Sequence, residues 1–391
     1  MYDVIIIGAG PSGLMAAIES SKYNKVLVIE KNSRAGEKLL ITGGGRCNVT
    51  NLKEINRFLN EVEYNKKFLY SALNKFGPEN ICHFLDENGV KIKEEEDNKI
   101  FPASNKAVDV LNALLKNTTK VHFKYNEKVI KIYEGEIQSV KTDKDLYTAS
   151  KVIVACGGSS FPQTGSTGDN LLFAKQIGQK IVDIFPAETS VYTKKGNNIA
   201  GTTIEEVKIK YEDKKAIGKL LFTHKGLSGS AIMKMSEYIY KGNDKEISID
   251  LIPNYKEEEL KNILNNYDKE KELPTFLSTY FSKKLSKFLI DELNINKKIK
   301  QLSSKEIMNL IDNLKNYKIE ITSVNSIENA FVTGGGIDMN FIDSKTMQSK
   351  TNKGIYFVGE ALDIHGPVGG YNITLALSTG FLAGSSINEK R

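Results

Sequence analysis

The sequence predicts an α/β fold, in which a parallel-stranded domain is assembled from both ends of the chain and a β-rich segment followed by a small helical one is inserted between them. Three observations carry this reading. A buried strand, a glycine-rich turn, a helix and a second buried strand open the chain; the composition shifts over residues 191–320; and short apolar strands with glycine clusters resume after residue 321.

Residues 3–8, "DVIIIG", form a β-branched apolar run closed by glycine, the pattern of a strand buried on both faces. "AGPSGLMAAIESSKY" follows with Leu14, Ala17 and Ile18 at helical spacing, and "KVLVIEK" at 25–31 supplies a second buried strand ending in Glu30. Together they make a βαβ unit of about 30 residues. From about 56 to 117, apolar groups such as Phe68/Leu69, Phe84/Leu85 and Leu111/Leu114/Leu115 predict helices packed on the sheet. Residues 121–158 alternate apolar and polar positions with turn signals at Glu134-Gly135 and Asp143, which predicts an antiparallel meander returning to a buried strand, "KVIVAC".

The insertion has no arginine and carries 24 Lys against 19 Asp and Glu, so it supplies +5 of the net charge of +6. Its first part is strand-like through "SIDLIPNY", whereas 256–316 contains polar-capped helices with Leu and Ile at spacings of three and four. The expected domains are therefore 1–190 with 321–391, a β-rich domain at 191–255 with 317–320, and a helical domain at 256–316.

With 391 residues the chain is too long for one ordinary compact domain. Its 40% hydrophobic and 26% charged content is that of a soluble globular protein, and no apolar run approaches the roughly 20 residues of a membrane span. The N-terminus has neither a basic start nor a small-residue cleavage site, so the expected location is the cytoplasm. Cys47, Cys82 and Cys156 lie too far apart for a C-x-x-C pair, which argues for reduced thiols and against a structural zinc site.

"GAGPSG" at 8–13 fits G-x-G-x-x-G, follows a buried strand, opens a helix, and is succeeded 17 residues after Gly13 by Glu30 at the end of the next strand. Gly8 permits the tight turn, Gly10 lets backbone N–H groups approach a pyrophosphate, Gly13 lets the helix lie close to the sheet, and Glu30 accepts from ribose hydroxyls. A bound dinucleotide follows, and FAD and NAD share this fingerprint. "EKLLITGGGRCNVTN" adds a second glycine-rich loop, with Lys38 and Arg46 placed near anionic groups and the backbone of Gly43 and Gly44 open to an extended cofactor. At 358–380 a strand ending in Gly359-Glu360, the pair Gly369-Gly370 and a following helix place another helix N-terminus where its dipole would act on a reduced flavin. No second strand–GxGxxG–helix unit is present for NAD(P)H, so one tightly held cofactor is the economical reading.

The blocks "KLLITGGGRCNVTN", "GGSSFPQTGSTGDN", "LLFTHKGLSG", "AFVTGGGI", "TMQSK" and "GIYFVGEALDIHGPVGGYNITLALSTG" together resemble the HI0933-like, BaiN-type flavoproteins, in order along the whole chain. The resemblance implies a glutathione-reductase-like Rossmann FAD domain with an inserted β-rich substrate domain and a small helical domain. It also implies FAD contacts at Gly8, Gly10, Ser12, Gly13, Glu30, Lys31, Lys38, Gly43, Gly44, Arg46 and Asn48, at Val129 by the adenine, at Ala155, Cys156 and Gly157, and at Gly359, Glu360, Gly369, Gly370, Tyr371 and Asn372 near the flavin. Activities of the family include reduction of enone double bonds in steroid-like acids and oxidation of small amines such as aminoacetone by oxygen. Two departures from the family pattern bear on the substrate side: His365 stands before Gly366 where an acid is common, and Ser230 follows "GLSG" where proline is common.

Flavin chemistry needs no protein nucleophile, only a positioned substrate and a proton donor or acceptor. His365, His224 and Tyr371 are the candidates, each in a block shared with the family. Cys47, without a partner thiol, reads as a small packed side chain. The expected function is an FAD-dependent oxidoreductase acting on a small organic substrate bound between the FAD domain and residues 191–255. An oxidase cycle and a reductase cycle with NAD(P)H as transient donor both stay open, as does the oligomeric state. The alternative is an RNA-associated flavoprotein related to tRNA-modifying enzymes. Acids interleaved with the lysines of 256–316 favour a solvated face over a nucleic-acid partner there.

Overall fold

The first apolar run becomes the Tyr2–Ile7 strand, whose Val4, Ile5 and Ile6 are fully buried inside a seven-stranded sheet. It pairs in parallel with Val26–Ile29 on one side and Leu146–Val154 on the other. His122–Lys124 and Ile355–Phe357 extend the parallel part, and Gln138–Thr142 with Val129–Tyr133 completes the sheet antiparallel. The register sets Ile7 beside both Ile29 and Val154. The strand ends at Gly8, Glu30 and Ala155 therefore come level along the carboxyl edge, where open α/β sheets bind ligands.

The computed structural model describes residues 1–388 and divides into two units, Met1–Phe185 with the chain from Ile327 onward, and Pro186–Ser326. No helix among the described residues is long and apolar enough to cross a membrane.

In the first unit the Pro11–Ser20 helix packs against the Tyr371–Asn388 helix through small residues. A Cβ on Gly380 would overlap the Ser12 carbonyl oxygen, and one on Gly384 would lie 2.6 Å from that of Ala16. The two backbones thus meet directly, and Asn388 ties the ends by donating to the Glu19 carbonyl at 2.9 Å and accepting from Asn24 at 2.7 Å. The helices expected over 56–117 are present, but the same stretch also holds Ile92–Glu95 and Lys99–Pro102, which form a small antiparallel sheet with Thr50–Asn51. Those strands are only four residues long, Ile92–Glu95 partly exposed and Lys99–Pro102 buried from Ile100 onward, so neither shows the apolar alternation that announces a strand.

The second unit is a closed antiparallel barrel, in the order Val191–Thr193, Gly226–Ser228, Lys214–Thr223, Thr203–Tyr211, Glu246–Asp250 and Tyr317–Val324. Val207, Ile209, Leu220, Phe222, Ile247, Ile249 and Ile319 fill its core. Two expectations are corrected here. The last strand continues to Val324 instead of ending at 320, because Ser323 and Val324 still pair with Tyr192 and Val191 although their side chains are polar or half-exposed. The helices of 256–316 do not form a compact unit of their own: Leu260, Leu264, Leu285, Leu289 and Leu314 belong to the same apolar cluster as the barrel. The last helix, Ser304–Lys315, is opened by a reciprocal cap in which Ser303 accepts from the Glu306 N–H while Glu306 accepts from the Ser303 N–H at 2.9 Å.

Candidate functional site

A cleft of about 1140 Å³, open to solvent, lies along the carboxyl edge of the large sheet within the first unit. Its floor is the glycine turn. Gly8 has φ +102°, and a Cβ there would lie 2.6 Å from the Ala155 carbonyl oxygen. A Cβ on Gly13 would overlap the Gly8 carbonyl oxygen. These two glycines therefore serve the close approach of strand and helix. Gly10 differs: its backbone is extended and nothing lies within 4 Å of a Cβ built on it. The space beside Gly10 belongs to the cleft.

Glu30 closes the second strand and is nearly buried. Its carboxylate accepts from the N–H groups of Ala9 and Asn32, both at 2.8 Å. Burial pushes this carboxyl above the usual range, opposed by those two donors. Each oxygen keeps a further lone pair for a hydroxyl. Lys31 donates to Thr167 and Asp169 at 2.6 Å, and Lys38 donates to Ser160 at 2.6 Å and Glu360 at 2.7 Å. Glu360 also accepts from the Thr333 N–H at 2.9 Å. Both lysines are thus neutralised by an acid of the cleft wall, and holding an anion falls to the N–H groups that open the Pro11–Ser20 helix.

Of the residues expected to hold FAD, Gly8, Gly10, Ser12, Glu30, Lys31, Lys38, Val129, Ala155, Cys156, Gly157, Glu360 and Asn372 line this cleft, and Gly13 stands directly beneath it. Asn372 also clips its loop, accepting from the Gly366 N–H at 2.9 Å and donating to the Gly366 carbonyl at 2.7 Å. Cys156 is kept protonated by burial, which pushes its thiol well above the ordinary range. Thr42, Thr164, Gly165, Ser166, Asp169, Phe331, Val332 and Ile373 line the cleft as well. The block 157–170 contains four of these and the block "AFVTGGGI" contains Phe331 and Val332, although none of the six is singled out there.

Other expected residues lie outside the lining. Gly43, Gly44 and Gly45 take φ values of +56°, +69° and +86°, a left-handed run that only glycine adopts without strain, and Gly43 and Gly44 face solvent. Backbone geometry by itself calls for glycine at all three positions. The Arg46 guanidinium pairs with Glu95, donates to the Asn105 side-chain oxygen at 3.0 Å and stacks 4.2 Å over Phe101, so it fastens the loop to the small sheet. Asn48 lies within reach of the Ile100 and Thr50 carbonyls. Gly359 and Gly370 pack on Ser12 and Thr50 respectively, and Gly369 lies beside Lys99 and Tyr371.

Of the three acid/base candidates, His365 and Tyr371 belong to the first unit and His224 to the second. His365 is buried between the rings of Tyr64 and Phe185, at 5.6 and 5.7 Å. Tyr371 is buried against Phe58, and its hydroxyl accepts from Lys53 at 3.0 Å; burial raises its pKa although Lys53 opposes this. His224 sits exposed in the turn between Lys214–Thr223 and Gly226–Ser228 of the barrel. Cys47 is a fully buried thiol, pushed up to about 12 by burial, as its packing role requires.

A parallel sheet with a phosphate-binding glycine turn, a ribose-binding acid and an extended cleft beyond them fits FAD, and the class is that of the FAD-dependent oxidoreductases built on a Rossmann domain. The HI0933-like protein Rossmann domain matches residues 2–386, and the chain belongs to this family. It is 29% identical to a ribosomal RNA dihydrouridine synthase of Haemophilus influenzae, over 99% of this chain and 98% of that one. It is 27% identical to a 3-dehydro-bile acid delta(4,6)-reductase of Clostridium scindens, over the full length of both. Among solved structures, E. coli quinol fumarate reductase shares the fold, with a TM-score of 0.53 at 15% identity over 100% of this chain and 70% of the other.

Proposed function

We propose that the protein reduces a carbon–carbon double bond conjugated to a carbonyl, and that uridine in ribosomal RNA is its substrate. The observation that supports this most is the end-to-end likeness to two relatives whose names state one chemistry. Dihydrouridine is uridine saturated at the C5–C6 bond, which is conjugated to the C4 carbonyl. A delta(4,6)-reductase of a 3-oxo bile acid saturates a diene conjugated to the 3-oxo group. Neither name describes an oxidase, so the oxidase cycle is the weaker reading.

FAD held in the cleft supplies a two-electron hydride carrier, and NAD(P)H is the proposed source of its electrons. The chain's own part is positional. The Pro11–Ser20 helix start receives the diphosphate, Glu30 receives ribose hydroxyls, and the Lys38–Glu360–Ser160 group fixes the cleft wall between the glycine turn and the Tyr371–Asn388 helix. The RNA reading is favoured over the bile-acid reading by the slightly higher identity and by the cationic excess of the inserted segment.

The test is anaerobic turnover of the FAD-loaded protein with NADPH or NADH on an unmodified ribosomal RNA transcript and, in parallel, on a 3-oxo-4,6-diene bile acid. Nucleoside mass spectrometry should show dihydrouridine that depends on FAD and a nicotinamide. Saturation of the bile acid alone would move the substrate to the second reading. Turnover of neither, with peroxide released from a small amine in air, would overturn the reductase reading.

A further inference from the structure

The lysine excess of the second unit is unevenly compensated. On the helical part, Lys297 pairs with Glu306, Lys298 and Lys300 with Glu270, and Lys315 with Asp250. On the barrel wall the cross-strand register gives a different picture. Lys215 stands opposite Lys210, Lys210 opposite Ser248, and Ser248 opposite Lys318. These four residues form one row across four adjacent strands, about 14 Å long at the usual strand spacing.

All four point outward, because the residues flanking them along each strand, Ile209, Ala216, Ile247, Ile249 and Ile319 among them, are buried in the barrel. Among the described residues no carboxylate lies within ion-pair distance of Lys210 or Lys215. Lys318 reaches Glu246 at 3.0 Å, but both side chains are more than half exposed, and such a pair holds a cation weakly. Lys208, one pleat along from Lys210, stands opposite Asp250, whose carboxylate is taken by Lys315 at 2.7 Å. Like charges directly opposite each other destabilise a sheet. A wall that sets Lys210 against Lys215, with neither ammonium held in an ion pair among the described residues, leaves both open to an anion from outside.

We infer that the row Lys215–Lys210–Ser248–Lys318 is a phosphate-backbone contact surface for RNA. The inference rests on the RNA reading of the function and adds where the nucleic acid is held. Ammonium groups spaced along a row suit a chain of phosphates, and the Ser248 hydroxyl between them is a neutral donor of the kind common at such contacts.

The experiment compares the FAD-loaded full chain with two variants of equal charge change, Lys210→Gln/Lys215→Gln/Lys318→Gln and Lys297→Gln/Lys298→Gln/Lys300→Gln. The probe is a fluorescein-labelled ribosomal RNA transcript, read by anisotropy from 50 to 300 mM salt. Counterion release for single strands contributes about 0.7 to the logarithmic salt slope per phosphate, so the barrel variant should lower the slope by about 2 and weaken binding about 10- to 100-fold at 0.1 M salt. The helix variant should bind as the wild type does. The barrel variant should melt no lower than the wild type, since the side chains it removes carry no core packing, and the helix variant, which gives up exposed ion pairs with Glu306 and Glu270, should melt only slightly lower.

Equal losses in both variants would reduce the effect to net charge and overturn the row. Wild-type binding and slope in the barrel variant would overturn the row and leave the RNA reading standing. Wild-type affinity no tighter than about 0.1 mM would overturn both. Loss confined to vesicles containing anionic lipid, with RNA binding intact, would reassign the row to a membrane surface.

Discussion

Gly10 and Gly13 occupy one motif but answer to different neighbours, and alanine at each separates the two roles. Gly10 has φ −78° and ψ −178°, which alanine adopts without strain, and its Cβ would meet no protein atom within 4 Å. Replacing glycine at a compatible position gains about 0.4–1 kcal/mol by restricting the unfolded chain. Gly10 is also the N-cap of the Pro11–Ser20 helix, where alanine is worse than glycine by about 1 kcal/mol. The two terms offset, and the Gly10→Ala apo-protein should melt within about 4 °C of the wild type, taking roughly 2–4 °C per kcal/mol for a unit of this size.

Gly13→Ala drives a methyl group into the Gly8 carbonyl oxygen, and overpacking of that kind costs about 1–3 kcal/mol, or roughly 2–12 °C. Cofactor response reverses the order of severity. FAD at 100 times its Kd should stabilise the wild type by about 2.7 kcal/mol, roughly 5–11 °C. Gly10→Ala should abolish that increment, because its methyl fills the space the diphosphate needs. Scanning calorimetry of apo- and FAD-loaded protein reads all of these values. A Gly10→Ala protein with the wild-type FAD increment would refute the assignment of that space to the cofactor.

Further outcomes follow from other contacts. Lys38→Met and Glu360→Gln should each destabilise, with the double variant less costly than their sum by about 0.5–3 kcal/mol in urea unfolding; additivity within about 0.3 kcal/mol would mean the pair is uncoupled. The three thiols should all resist alkylation at pH 8 in the native protein and react together on denaturation, since burial pushes Cys47 up to about 12 and Cys82 to about 11 and raises Cys156 further; rapid native labelling of any one would contradict this. Lys297 and the Ser303 cap lower the Glu306 carboxyl from 4.5 to about 2 in the folded state. A depressed folded value means that its stabilisation is complete above pH 4.5 and lost as the pH falls towards 2. The stability gap between wild type and Glu306→Gln should therefore close across that window, and a gap that stays constant down to pH 2 would exclude the linkage.

What was legible in the sequence was what local chemistry dictates. The run "DVIIIGAGPSG" followed by "KVLVIE" specifies two buried strands, a tight turn and an acid at a strand end, all within about 30 residues, and the cleft is built on them. The role of Arg46 was hidden because its partners lie about 50 to 60 residues away, Glu95 and Phe101 on strands of four residues, too short to show a period, and Asn105 in the turn that follows. The end of the barrel was misplaced for a related reason: ladder hydrogen bonds continue through Thr322 and Ser323, where the side chains no longer record them. The glycine triplet is ambiguous for a different reason. A left-handed backbone and a cofactor cradle both call for glycine, and composition does not separate the two.

The contact between the Pro11–Ser20 and Tyr371–Asn388 helices also sets an order of events during synthesis. The phosphate-binding helix leaves the ribosome about 350 residues before the helix that covers it, and at about 5–20 residues per second this is a wait of roughly 20–70 s. Ser12, Ala16 and Glu19 are buried in the finished protein, and Gly380 and Gly384 are the residues that bury their side of the helix. The nascent N-terminal half therefore carries a complete nucleotide motif on an uncovered helix. The motif is therefore expected to hold the cofactor only once Gly380 and Gly384 cover the helix, and a chain truncated ahead of Gly380 should bind no FAD.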